Sequence, residues 1–142
     1  MILYLDTSAL IKRYIHEQGS EQVVAWMRSA DFIGSSLVTR VEMAATISRA
    51  IRGKRVPQAE ALDSLNEFRS DLLNFQHIYV DDALVARADA LACDHSLRGY
   101  DAIHLACALT WQDLLGAQIS LASFDRELLD AAQKIGMETL FE

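Results

Sequence analysis

Four acidic residues occupy positions from which a parallel sheet would bring them together. Asp6 directly follows an apolar run at residues 1–5, and Asp125 closely follows a second strand-like run. Asp101 lies in the first turn of a predicted helix, and Glu42 borders the apolar face of another. Carboxylate oxygens are ligands that Mg²⁺ and Mn²⁺ prefer, and carboxylates held together repel unless a cation separates them. Such a metal site activates water and stabilises the charge that develops on a phosphodiester during its cleavage.

Each of these acids also has a structural interpretation when it is taken alone. Aspartates at helix starts, such as Asp6, Asp101 and Asp125, cap amide groups and complement the helix dipole. Glu42 alone is typical of a solvated helix surface. The four residues lie far apart along the chain, so only the fold can assemble them into a site.

Short apolar runs alternate with helical patterns along the chain, without repeats or linkers. This alternation predicts a three-layer α/β/α architecture with a mostly parallel sheet of four to five short strands. In such sheets ligands bind beyond the carboxyl ends of the strands, where the acids are expected. Ser35 and Ser36 are predicted to open the helix that carries Glu42. The predicted strands span residues 1–5, 31–34, 78–80, 118–122 and 137–140.

The composition is that of a folded domain with an acidic balance. The chain has 142 residues, of which 51% are hydrophobic, so disordered and collagen-like classes are excluded. The net charge of −7 argues against a general nucleic-acid coat protein. No apolar run is long enough to span a membrane and no signal peptide is indicated, so we expect a cytoplasmic protein. Cys93 and Cys107 are predicted to be buried small hydrophobic residues in a reducing compartment.

Three stretches of the sequence resemble motifs of PIN-domain proteins, and specifically of the toxin ribonucleases in VapBC-type toxin–antitoxin pairs. They are MILYLDTSAL at residues 1–10, LRGYDAIHLA at 97–106 and LASFDREL at 121–128. The segment from Ser35 to Glu42 is similar to a looser second motif of the family. One small departure is Ser123, where many relatives have threonine, and the hydroxyl is kept. The resemblance extends over nearly the whole chain, which we interpret as one PIN-like domain spanning residues 1–142.

The resemblance implies endonucleolytic cleavage of RNA that depends on Mg²⁺ or Mn²⁺. Asp6 and Asp101 would be direct metal ligands. Glu42 and Asp125 would bind the ion directly or through water, or would orient the attacking water. The hydroxyl groups expected to hold the carboxylates in place by hydrogen bonds belong to Thr7, Ser8 and Ser123.

The resemblance also implies three partners, which are an RNA substrate, a small antitoxin protein and a second copy of the chain. A basic cluster at the end of the Glu42 helix either contacts RNA phosphates or forms an ordinary solvated helix end. Arg98 could pair with a phosphate or with an acid, and the sequence does not decide between them. The residues of the basic cluster are Arg49, Arg52, Lys54 and Arg55.

Other interpretations remain open from the sequence. His104 follows Asp101 by one helical turn, and a packing or capping role is favoured over a catalytic one. A phosphohydrolase of the haloacid-dehalogenase type also has an aspartate after its first strand, but it needs a second one where this chain has Ser8. A non-catalytic PIN-like binding module would be favoured by the loss of an acidic position, and none is lost.

Overall fold

The computed structural model describes residues 1–141. Within them, five short strands alternate with seven helices and a 3₁₀ turn at Leu72–Asn74. The strands are β1 (Ile2–Leu5), β2 (Phe32–Ser36), β3 (Gln76–Ile78), β4 (Ser120–Ala122) and β5 (Glu138–Leu140). The helices are α1 (Thr7–Tyr14), α2 (Ser20–Ser29), α3 (Thr39–Arg52), α4 (Gln58–Asp71), α5 (Asp82–His95), α6 (Gly99–Leu115) and α7 (Arg126–Lys134).

The strands form a single parallel sheet in the order β3-β2-β1-β4-β5. The chain builds outwards from β1 to β3 on one side and then returns to place β4 against the other side of β1. The junction of β1 and β4 is therefore the point where the strand order reverses, and ligands bind beyond such a junction. The predicted three-layer α/β/α fold with a parallel sheet is confirmed.

Both faces of the sheet are buried, and β1 contributes to both cores. Successive side chains of a strand point to opposite faces. Tyr4 accordingly packs with α5, α6 and α7, in a core that includes Leu105 and Leu128. Leu3 and Leu5 pack on the opposite face with residues of α1 to α4. A strand buried on both sides has little freedom to slip, so the residue that follows it is firmly placed.

Three local predictions are wrong. Ser35 and Ser36 do not open a helix; they belong to β2, and α3 begins at Thr39. Ser35 pairs with β3, and its hydroxyl donates to the Leu5 carbonyl oxygen at 2.6 Å, so sheet pairing outweighs the capping tendency of serine. The third strand spans Gln76–Ile78 rather than 78–80. Cys93 is exposed, and only Cys107 is buried as predicted.

The packing of β2 against α6 depends on the absence of a side chain at Gly34. A Cβ atom at this position would lie 2.6 Å from Cζ3 of the buried Trp111 indole. We expect Gly34→Ala to lower the free energy of unfolding by about 1–3 kcal/mol, the usual range for overpacking. Urea denaturation measures this change. Gly99→Ala is the matched control, because its added methyl group meets nothing within 4 Å; equal midpoints for the two variants would contradict the prediction.

Candidate active site

The four sequence-predicted acids come together at the carboxyl end of the sheet. All four line one cleft of about 210 Å³, together with Thr7, Ser8, Arg98 and His104. Two of them, Asp6 and Asp125, also serve as helix caps, so their predicted structural role is confirmed. Asp6 accepts the Ala9 N–H of α1 at 2.9 Å, and Asp125 accepts the Leu128 N–H of α7 at 3.0 Å.

Four helices begin at the cleft. Asp6 caps α1, Asp125 caps α7, and Glu42 and Asp101 lie in the first turns of α3 and α6. A helix N-terminus carries a partial positive charge of roughly half an elementary charge. The four N-termini therefore offset part of the negative charge of the carboxylates, and they also favour a bound anion such as a phosphate.

Asp6 is the most rigidly held of the four acids. It is buried, and its two oxygens accept hydrogen bonds from the Ser8 hydroxyl at 2.8 Å and the Ser123 hydroxyl at 2.7 Å. The serine oxygens in turn accept the N–H groups of Phe124 and Asp125, each at 2.9 Å. Burial raises the pKa of Asp6 above its ordinary value, and the electrostatic interaction with His104 and the hydrogen bonds offset this only in part.

Glu42 is held by two side chains. Its Oε1 atom accepts from the Thr7 hydroxyl at 2.8 Å and lies 2.7 Å from Nε2 of the buried His104. The other ring nitrogen of His104 lies 2.9 Å from the Tyr4 hydroxyl. Burial alone would raise the pKa of Glu42, but the contacts with His104 and Thr7 outweigh it, and the pKa is lowered.

The connection from Tyr4 through His104 to Glu42 was missed by the sequence analysis. The prediction of a packing role for His104 is half right, because the ring is buried, but it also touches a site carboxylate. The spacing of His104 one helical turn after Asp101 was the available signal. Nothing in the sequence indicated Tyr4, because the alternation of β1 only shows that it is buried.

Asp101 and Asp125 share one guanidinium group. Arg98 Nε donates to Asp101 Oδ2 at 2.8 Å, and Arg98 Nη2 donates to Asp125 Oδ2. Of the two partners that the sequence left open for Arg98, the acids are the ones it contacts in this structure. Burial raises the pKa of Asp101; the Arg98 hydrogen bond opposes this and the nearby Asp125 adds to it, with a raised pKa as the result.

The donor set fits a hard divalent cation in its chemistry. The cleft offers carboxylate and hydroxyl oxygens, and the hydrogen bonds described above leave Glu42 Oε2 and Asp101 Oδ1 unused. Among residues 1–141, no group of three or more His, Cys, Asp and Glu side chains is arranged to hold a metal ion as it stands. Binding an ion would therefore require the carboxylates to approach one another.

The predicted basic cluster lies only partly near the cleft. Arg49 donates to the Thr46 hydroxyl at 3.2 Å, and Thr46 lines the cleft. A neighbouring groove of about 190 Å³ shares Ile11 and Thr46 with the cleft and extends to Arg55. Arg52 and Lys54 line neither, so the structure does not bring them to the site.

Comparisons with known proteins agree with this architecture. The PIN domain family matches residues 3–134. Ribonuclease VapC45 of Mycobacterium tuberculosis is 29% identical over 135 residues, which cover 95% of this chain and 92% of the relative. Ribonuclease VapC35 of the same organism is 30% identical over 138 residues, covering 96% and 93%.

Solved structures share the fold. FitAB bound to an IR36 DNA fragment superposes with a TM-score of 0.70 at 19% identity, covering 98% of this chain and 94% of that one. VapBC2 from Rickettsia felis bound to a promoter DNA fragment gives 0.66 at 13% identity, covering 99% and 100%. At these identities the likeness concerns the fold.

The position of Glu42 depends on His104. We expect His104→Gln to lower the free energy of unfolding by about 1–3 kcal/mol, because Tyr4 and Glu42 lose their buried partner. Urea denaturation measures this loss, and calorimetry with Mn²⁺ should show weaker binding. His16→Gln is the control at an exposed histidine. A His104→Gln protein with wild-type values in both measurements would refute the positioning role.

The raised pKa of Asp6 gives a pH dependence with a definite sign. The folded protein binds this proton more tightly than the unfolded chain, whose aspartates titrate near about 3.9. Ionised Asp6 therefore destabilises the metal-free protein, and this effect is absent at low pH and develops as the pH rises through the raised pKa. We expect the stability of Asp6→Asn relative to wild type to increase as the pH rises above the ordinary aspartate value of about 3.9. Denaturation in EDTA measures it, and a difference independent of pH would contradict the prediction.

Proposed function

The chain belongs to the PIN domain family, and from this premise we propose that it is a metal-dependent endoribonuclease that hydrolyses RNA phosphodiester bonds as the toxin of a toxin–antitoxin pair. The observation that carries the proposal is the convergence of four carboxylates from four different elements in one cleft. Curated relatives that share almost the whole length of the chain are named ribonucleases, which supports the same activity here.

PIN-domain ribonucleases of the VapC type generally depend on a divalent metal ion. We propose that Asp6, Glu42, Asp101 and Asp125 hold Mg²⁺ or Mn²⁺ here. When bound, such an ion lowers the pKa of a coordinated water and stabilises charge on the phosphodiester. The acids come from the ends of β1 and β4 and the starts of α3 and α6, so the ion would tie both halves of the sheet together.

The other residues of the cleft orient the carboxylates and receive the substrate. Thr7 and His104 point Glu42 into the cleft, and its lowered pKa keeps it ionised, as an acceptor for the attacking water must be. Ser8 and Ser123 fix both oxygens of Asp6. The helix N-termini provide N–H groups and a favourable field for a phosphate.

We propose that RNA leaves the cleft along the adjoining groove. Arg98 lies at the cleft, and Arg55 lies in the groove that shares Ile11 and Thr46 with it. Arg49 is hydrogen-bonded to Thr46 between the two. These three arginines suit phosphate contacts, whereas Arg52 and Lys54 lie beyond both and remain predicted contacts without such support.

We propose a small antitoxin protein as the partner. FitAB and the VapBC assemblies share this fold, and those of Neisseria gonorrhoeae and Haemophilus influenzae are among them. An acidic cleft suits an antitoxin that presents a basic residue to it. Homodimer formation, a single domain over residues 1–142 and a cytoplasmic location remain predictions; no helix within residues 1–141 is long and apolar enough to cross a membrane.

RNA cleavage by wild type, Asp101→Asn and Asp113→Asn tests the proposal. Asp113 lies on the same helix as Asp101 but pairs with Arg87 outside the cleft, so it is a matched control. With Mg²⁺ or Mn²⁺ we expect wild type and Asp113→Asn to cut a mixed RNA pool, and Asp101→Asn to be slower by about 100-fold or more. EDTA should abolish all cleavage.

The three proteins must share one purification, because contaminating ribonucleases mimic activity. Equal cleavage by all three would identify a contaminant. Absence of cleavage together with metal binding would favour a non-catalytic binding module. Hydrolysis of small phosphate monoesters but not of RNA would favour the phosphohydrolase alternative.

A further inference from the structure

Arg98 is the only arginine or lysine among the described residues that line the cleft. It stands at the N-cap position of α6, and its side chain is 69% exposed. Its guanidinium nevertheless makes two ion pairs, one with Asp101 in the first turn of its own helix and one with Asp125 at the start of α7. The side chain thus bridges two helices that begin at the same cleft.

This bridge places a positive charge where two carboxylates would otherwise repel each other. Asp101 and Asp125 are only partly exposed, with side-chain exposures of 14% and 19%, so water screens their repulsion incompletely. The guanidinium itself is exposed, and exposed ion pairs are weak and readily exchanged. Arg98 is therefore a counter-ion that lies between two carboxylates but whose ion pairs are easily broken.

We propose that Arg98 is a resident cation which occupies the carboxylates of the metal-free site, is displaced when a divalent ion binds, and then contacts the RNA phosphate. This inference rests on the proposed function and assigns Arg98 a separate part in it. The guanidinium must leave Asp101 Oδ2 and Asp125 Oδ2 if these oxygens are to face an ion. Once released, its exposed position at the cleft lets it meet a phosphate oxygen, for which the fork of a guanidinium is well suited.

Removal of Arg98 should have opposite effects on metal binding and on RNA cleavage, because the side chain pairs with carboxylates in one state and contacts the phosphate in the other. If Arg98 competes with the ion, its removal strengthens metal binding. If the released guanidinium contacts the phosphate, the same removal slows cleavage. A residue that merely supported the fold would weaken both properties together.

The test compares wild type, Arg98→Gln and Arg87→Gln. Arg87 also pairs with an aspartate, Asp113, but lies outside the cleft, so it controls for the loss of an arginine ion pair. By calorimetry with Mn²⁺ we expect Arg98→Gln to bind about three- to tenfold more tightly than wild type, and Arg87→Gln to match wild type. At saturating Mn²⁺ we expect Arg98→Gln to cleave RNA about tenfold more slowly or worse.

Mn²⁺ binding by Arg98→Gln that is equal to or weaker than that of wild type would show that Arg98 does not compete with the ion for the carboxylates. Cleavage by Arg98→Gln at the wild-type rate would overturn the phosphate contact. Failure of wild type itself to bind metal and cut RNA would instead refute the proposed function, and this inference with it. If wild type is active, either of the first two results would refute the inference about Arg98 and leave the proposed function standing.

A spectroscopic measurement reports on the side chain directly. In the metal-free protein the Arg98 Nε–H is engaged by Asp101, so it should exchange with water more slowly than an unpaired guanidinium. Titration with diamagnetic Mg²⁺ should shift its NMR signal and speed this exchange, while the signal of Arg87 stays in place. An Arg98 signal unchanged at saturating Mg²⁺ would overturn the displacement.

Discussion

The buried carboxylate of Asp6 is the contact on which the site depends. It ends β1, caps α1 and, through the Ser123 hydroxyl, is tied to the end of β4. Its backbone N–H also donates to the Ala122 carbonyl oxygen at 3.2 Å, which continues the pairing of β1 with β4 for one more residue. At the place where the strand order reverses, one side chain therefore links the end of β1, the start of α1 and the end of β4. A neutral apolar residue could pack there, but it would leave the two serines and the start of α1 without an acceptor.

The charge balance of the cleft explains how an acidic chain can attract RNA. The net charge of −7 describes the whole surface, whereas a phosphate responds to the local field. At the cleft, four helix N-termini and the Arg98 guanidinium partly offset four carboxylates. A divalent ion would tip this local balance towards positive potential. The acidic composition is thus compatible with a nucleic-acid substrate when a cation is bound, and it also suits a partner that presents a basic residue.

The fold could be predicted from the sequence because strong local patterns agreed with each other, and the resemblance to PIN-domain motifs selected the four acids. Asp6 and Asp125 follow apolar runs, and the ends of parallel strands share one edge of the sheet. The prediction for Ser35 and Ser36 was wrong because serine caps helices well, and only the position of β3 shows that they are paired in the sheet. A local sequence pattern describes one helix or strand at a time. Whether Ser35 and Ser36 cap a helix or pair in a sheet depends on contacts between elements.

The same reason explains what was missed at the site. The partners of His104 are Tyr4 on β1 and Glu42 on α3, and neither is near it in sequence. A histidine on the buried face of a helix indicates only a packing role in the sequence. Its contacts with β1 and α3 become visible in the folded structure. The hydrogen-bonded side chains of Tyr4, His104 and Glu42 connect the hydrophobic core to the cleft. The hydrophobic packing that holds Tyr4 therefore also limits how far Glu42 can move. The precision of the site therefore comes from the core as much as from the acids, and changes in packing far from the cleft should be felt in it.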